Sequence, residues 1–162
     1  MARDREHNYA VTVRWTGNTG AGTAGYREYS RDHEVTGEGK PTLIQGTADP
    51  SFRGAADRWN PEELLVASLS QCHMLSYLAL CSLKGVVVTG YEDRATGTMR
   101  ESGGAGRFTG VVLRPVVTVA EASMLREAAS LHAAAHDQCF IASSVTFPVH
   151  HDPTVRVAPV TG

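Results

Sequence analysis

The chain's most reactive side chains are three cysteines, at positions 72, 81 and 139. Cys72 stands in "SLSQCHMLSYLALC", an apolar stretch that also holds Ser68, Gln71, His73 and Ser76. Polar groups in such a stretch cost free energy unless they find partners. A polar pocket around a thiol is also what favours the nucleophilic thiolate. Cys81 follows nine residues later, about 900° of helix rotation and so the opposite face. The two cannot form a local redox pair, and Cys81 reads as core packing, where free cysteine is common. Packing is also the bland reading of Cys72 and Cys139.

Cys139 closes "HAAAHDQC", and His132, His136 and Cys139 are spaced i, i+4, i+7 on one helical face. With Cys72 as a fourth ligand, these side chains would make a tetrahedral zinc site. No CxxC pair supports it, and a histidine face on a helix more often lies in solvent or in a satisfied core. His73 either lines the Cys72 pocket and favours its thiolate, the reading we prefer, or turns away, since adjacent helical positions diverge by about 100°. His33, His150 and His151 read as surface residues.

"NPEE" at residues 60–63 positions Cys72. Asn60 can cap, Pro61 fits a first turn and Glu63 completes a capping box. The predicted helix runs to about Leu83 and stops at Gly85. Being apolar nearly all round, it must be covered on most sides. Upstream, "YAVTVRWT" and "YREYSRDHEV" read as two strands around a glycine-rich turn. That turn neither follows a buried strand nor opens a helix, so it is a weak phosphate loop. Residues 37–59 read as loop. "GVVVTGYEDRATGTMR" and "GRFTGVVLRPVVTVA" are β-rich, with Gly103, Gly104 and Gly106 marking the turn between them. "EASMLREAASLHAAAHDQC" reads as a second helix, and "SVTFPVHHDPTVRVAPV" as one or two final strands. The order predicts a single α+β domain over residues 1–162, with antiparallel sheet packed on two helices.

The composition narrows the partners. The chain has 162 residues, 42% hydrophobic and 20% charged, with a formal net charge of -2. That length suits one domain with its own core. Scattered basic residues and slight negative charge give no field for nucleic acid or an anionic membrane. Residues 64–83 are long enough for a membrane span, but polar residues interrupt them and no Lys/Arg or aromatic belts flank them. The N-terminus is too charged for a secretory signal. These points predict a cytoplasmic protein with reduced thiols.

"NPEELLVASLSQC" resembles the signature of the OsmC/Ohr family of hydroperoxide-reducing peroxidases, and "AHDQCFIASSV" its second-cysteine segment. The resemblance extends over the early strands, the "ADPSFRG" loop, both helices and "SVTFPV". It implies an intertwined α+β homodimer with antiparallel sheets around two central helices. The implied activity is thiol-dependent reduction of organic hydroperoxides, and more weakly hydrogen peroxide, with no metal or bound cofactor. An external dithiol would be the reductant. Cys72 matches the peroxidatic cysteine, Cys139 the resolving one, and Glu62 the glutamate after Asn-Pro. The family's arginine near the N-terminal hairpin has Arg27 and Arg31 as candidates, with Arg53 behind them. His73 and Phe140 depart from the usual Phe and Pro after the two cysteines, which resembles a "CHM" subgroup. A helix rises about 1.5 Å per residue, so Glu62 and Cys72 lie about 15 Å apart on theirs. If both serve one site, Glu62 comes from a second subunit. The alternatives are a lipid-like ligand-binding or redox-sensing module using the same cleft, and the zinc protein above.

Overall fold

The computed structural model describes residues 4–159. The chain forms two compact units divided between Leu64 and Leu65. The first carries a three-stranded antiparallel sheet in the order β1 (Thr12–Trp15), β2 (His33–Thr36) and β3 (Ile44–Gly46). The predicted second strand is thus only its last third. Residues 26–31 turn instead, because the Arg31 guanidinium donates to the carbonyls of Tyr29 (2.6 Å) and Tyr26 (2.7 Å). It also lies over the Tyr29 and Tyr26 rings, 4.1 and 4.3 Å from their centroids.

Helix α1 spans Pro61–Leu83, as its end signals predict. The Asn60 side chain accepts the Glu63 N–H at 2.8 Å, and Glu63 returns a carboxylate oxygen to the Asn60 N–H at 3.3 Å. At the other end Gly85 takes φ +73°. The Val86 N–H reaches the Cys81 carbonyl at 2.9 Å and the Gly85 N–H that of Ser82 at 3.3 Å. This is a Schellman closure, and it delivers the buried Val86 to the core beside Cys81.

In the second unit each β-rich stretch breaks into two strands. These are β4 (Val88–Asp93), β5 (Thr96–Ser102), β6 (Ala105–Leu113) and β7 (Pro115–Val119). Gly103 and Gly104, both at positive φ, make the two-residue β5–β6 turn. The later elements are α2 (Leu125–Asp137), β8 (Val149–His151) and β9 (Thr154–Val157). The sheets run β4–β7–β9 and β5–β6–β8. They are mixed, not antiparallel throughout, since β8 joins β6 and β9 joins β7 in parallel. Nothing in the local turn chemistry encodes those pairings: a helix and a long return separate β8 and β9 from their partners.

The stripe Leu69, His73, Tyr77, Cys81 is the buried face of α1. Tyr77 and Cys81 pack with Val117 and Val119 of β7 and with Ala128, Leu131 and Ala135 of α2. Leu69 packs with Val111 and Leu113 of β6. The helix is long and apolar enough to cross a bilayer by length and composition, yet here it is the central element between two small cores. Its other faces stay open: Leu75 is 61% and Leu83 81% exposed.

Candidate active site

Helix α1 fixes Cys72, and the turn after α2 brings Cys139 to it. Helix α2 ends at Asp137, and the N–H groups of Gln138 and Cys139 close back on the carbonyls of Ala134 and His136 at 3.2 and 3.1 Å. The chain then folds into a one-turn 3-10 helix at Ala142–Ser144, whose Ala142 N–H donates to Cys139 Sγ at 3.4 Å. The residues on either side of Cys139, Gln138 and Phe140, line one groove with Cys72. Cys72 is half-buried and Cys139 only 2% exposed. Burial pushes the Cys139 thiol up to about 11. It is therefore protonated at neutral pH.

Cys72 opens onto a groove of about 490 Å³ lined by Ser76, Ala79, Leu80, Leu83, Asp137, Gln138 and Phe140. The α1 lining residues fall at i+4, i+7, i+8 and i+11 from Cys72, one helical face. Of these, the sequence singles out Ser76 beside Cys72, but not Ala79, Leu80 or Leu83 as lining. Cys81 lies on the opposite face, 1% exposed, its thiol pushed up by burial.

His73 does not line the groove. It is 1% exposed and stacks on His132, its Nε2 3.1 Å from His132 Nδ1. Tyr77 stacks on His132 with ring centroids 3.9 Å apart and donates its hydroxyl to the Ala128 carbonyl at 3.0 Å. His151 lies against His73, and His136 against His151, so His151 is half-buried and not a free surface residue. Burial, then repulsion from His151, depress His73 to about 4, against the pull of Asp93. Burial and the His73 and His151 rings depress His132 to about 3. Both rings are neutral at pH 7. A single bond joins them, and His73 Nδ1 and His132 Nε2 find no partner among the described residues.

The proposed zinc face comes apart for the same reason. His132 turns into the stack, while Cys139 lies beyond the end of α2 and faces Cys72. Among the described residues no three His, Cys, Asp or Glu side chains group to hold a metal ion.

The other expected site residues lie in the first unit. Glu62 keeps its Oε2 buried without a partner among the described residues. Arg31 is held by the two carbonyls and two tyrosine rings described above. Arg27 is exposed. Arg53 is exposed and caps the Pro50–Phe52 turn at φ +68°, the left-handed region rarely used outside glycine.

The sequence model of the OsmC-like protein family matches residues 54–153. None of the curated proteins compared with the chain matches it. Among solved structures, an OsmC-like protein of unknown function from Vibrio cholerae O1 biovar eltor str. N16961 is similar at 31% identity and TM-score 0.81, with 91% of this chain and 99% of that one covered. An organic hydroperoxide resistance protein OsmC from Legionella pneumophila shares the fold at 14% identity and TM-score 0.65, covering 95% of this chain and 100% of that one. The organic hydroperoxide resistance protein from Elizabethkingia anophelis, solved with thiocyanate bound, does so at 17% identity and TM-score 0.63, with coverages of 95% and 100%. From the extent of the family match and the Vibrio relative, the chain belongs to the OsmC-like family.

Proposed function

We propose that the protein is a thiol-dependent peroxidase that reduces organic hydroperoxides to alcohols, the whole chain working as one OsmC-like domain in the cytoplasm. The observation that carries this reading is a half-buried Cys72 on an apolar groove whose other wall is made by Gln138 and Phe140, the residues flanking the buried Cys139. The apolar wall of Ala79, Leu80, Leu83 and Phe140 suits an alkyl or aryl tail.

The Cys72 thiolate attacks the terminal peroxide oxygen. An S–O bond forms as the O–O bond breaks, and the alkoxide leaves with a proton from solvent as the alcohol. Cys139 then attacks the Cys72 sulfenic acid. The S–S bond forms, the S–O bond breaks, and hydroxide departs with the Cys139 proton as water. An external dithiol returns both thiols by exchange.

Glu62 and a guanidinium complete the reading. A buried carboxylate oxygen without a partner is costly, and an arginine fork would satisfy it while favouring the thiolate. Arg31 is committed to the turn that holds it, which favours Arg27 or Arg53. Helix α1 is unbroken from Pro61 to Leu83, so ten residues separate Glu62 from Cys72 by about 15 Å of rise. We therefore assign Glu62 to the site of a second copy in a homodimer. The exposed Leu75 and Leu83 on α1 agree with a partner covering that helix.

The test is consumption of cumene or tert-butyl hydroperoxide with dithiothreitol as reductant. Cys72→Ser should abolish it, and unchanged turnover in that variant would refute the assignment. A protein that binds the hydroperoxide without consuming it would instead be a binding module using the same groove.

A further inference from the structure

The groove beside Cys72 has apolar walls from Ala79, Leu80, Leu83 and Phe140, and its Ser76 and Gln138 are uncharged. Asp137 is the one carboxylate in that lining, and among the described residues no Lys, Arg or His joins it there. It is the last residue of α2 and is exposed. The helix dipole presents its negative end at that position, which favours cations, so a carboxylate there costs the helix stability. No ion pair among the described residues offsets the cost: the two present join Arg58 to Asp32 and Arg94 to Glu92. Dipole and side chain together give the mouth of an otherwise uncharged groove a negative field.

We propose that Asp137 selects by charge what reaches Cys72: the groove takes neutral alkyl or aryl hydroperoxides and turns away those whose tail carries a carboxylate. The choice of substrate rests on the peroxidase reading of that groove, whereas the charge filter belongs to the groove itself. A carboxylate on the tail is ionised at pH 7. Seated in a space of about 490 Å³, it comes within a Debye length of Asp137, about 8 Å at physiological salt. Two like charges about 6 Å apart repel enough in water to shift an equilibrium about threefold, and more where apolar walls exclude water. Esters and hydrocarbon hydroperoxides escape that repulsion. Lipid hydroperoxides would therefore enter as esters and not as free acids.

The test uses two thiol reagents of similar size, anionic iodoacetate and neutral iodoacetamide, on the reduced whole protein at pH 7. Alkylation is read on the Cys72-containing peptide by mass spectrometry. The iodoacetate-to-iodoacetamide rate ratio cancels changes in the thiol's own reactivity. Asp137→Asn, which matches the side chain in size, should raise that ratio about three- to tenfold over the wild type. Asp137→Glu, which keeps the charge, should stay within about twofold of the wild type. Salt at about 0.5 M should move the wild-type ratio toward that of Asp137→Asn. Equal ratios in the wild type and Asp137→Asn would overturn the inference. So would an Asp137→Glu variant that behaves like Asp137→Asn, which would mark shape and not charge. A second arm compares consumption of cumene hydroperoxide with that of its ring-carboxylated analogue, and the wild type should favour the neutral one by about the same factor. Consumption of neither, with the expected alkylation ratios, would refute the peroxidase reading and leave the charge filter standing.

Discussion

Lowering the pH from 7.5 to 5.5 should destabilise this protein through the buried His73–His132 pair. Both rings are about 1% exposed, bonded to each other, and depressed to about 4 and about 3. In the unfolded chain each returns to the ordinary value near 6.5. The unfolded state therefore binds more protons below pH 6.5. The stabilisation is complete above that pH and is lost as pH falls toward the folded values. For a ring shifted this far, the loss between pH 7.5 and 5.5 is about 1.3 kcal/mol, or about 2.5 kcal/mol for the pair. His151, also depressed by burial and by its histidine neighbours, adds in the same direction, and Asp93 opposes it at His73. With a urea m-value of about 2 kcal/mol/M, the midpoint should fall by about 1 M, measured by far-UV circular dichroism at fixed protein concentration. His132→Phe keeps a ring over Tyr77 and should remove about half of the dependence. A midpoint flat across this range, or a His132→Phe variant as pH-sensitive as the wild type, would refute the picture of a neutral buried pair.

Other outcomes follow from the site and its frame. Cys139→Ser should still release one alcohol per chain in a single turnover but stop before disulfide formation, as read by quenched mass spectrometry. Leu80→Asp should raise KM for cumene hydroperoxide by about tenfold, roughly the transfer cost of placing a charge on that wall. It should leave hydrogen peroxide consumption little changed, and equal effects on both substrates would remove the groove from the mechanism. Asn60→Ala should lower stability by about 1 kcal/mol through loss of the cap, detectable as a shift in the denaturation midpoint.

Local chemistry was legible where a few residues decide it. Asn60, Glu63 and Gly85 marked α1 to the residue because caps and the Schellman closure are short-range. Helical rotation placed Cys81 opposite Cys72, and the packing habit of free cysteine gave its burial. The misreadings came from contacts that sequence spacing does not carry. Arg31 folds its own neighbourhood into a turn where alternation suggested strand. His73 and His132, 59 residues apart, stack and bond to each other in the core, so His73 left the pocket and His132 the supposed ligand face. The parallel β6–β8 and β7–β9 pairings join distant segments across a helix. Cys72 and Cys139 were paired through resemblance, whereas the Ala142 N–H bond to the Cys139 sulfur depends on a turn after α2 that no periodicity announced.

The measurement closest to the central claim is thiol accounting after one equivalent of cumene hydroperoxide is mixed with the fully reduced protein. The account predicts one equivalent of alcohol and the loss of two of the three thiols per chain, found by non-reducing peptide mapping as a Cys72–Cys139 disulfide. Three free thiols with the hydroperoxide intact, or a bridge that includes Cys81, would contradict it.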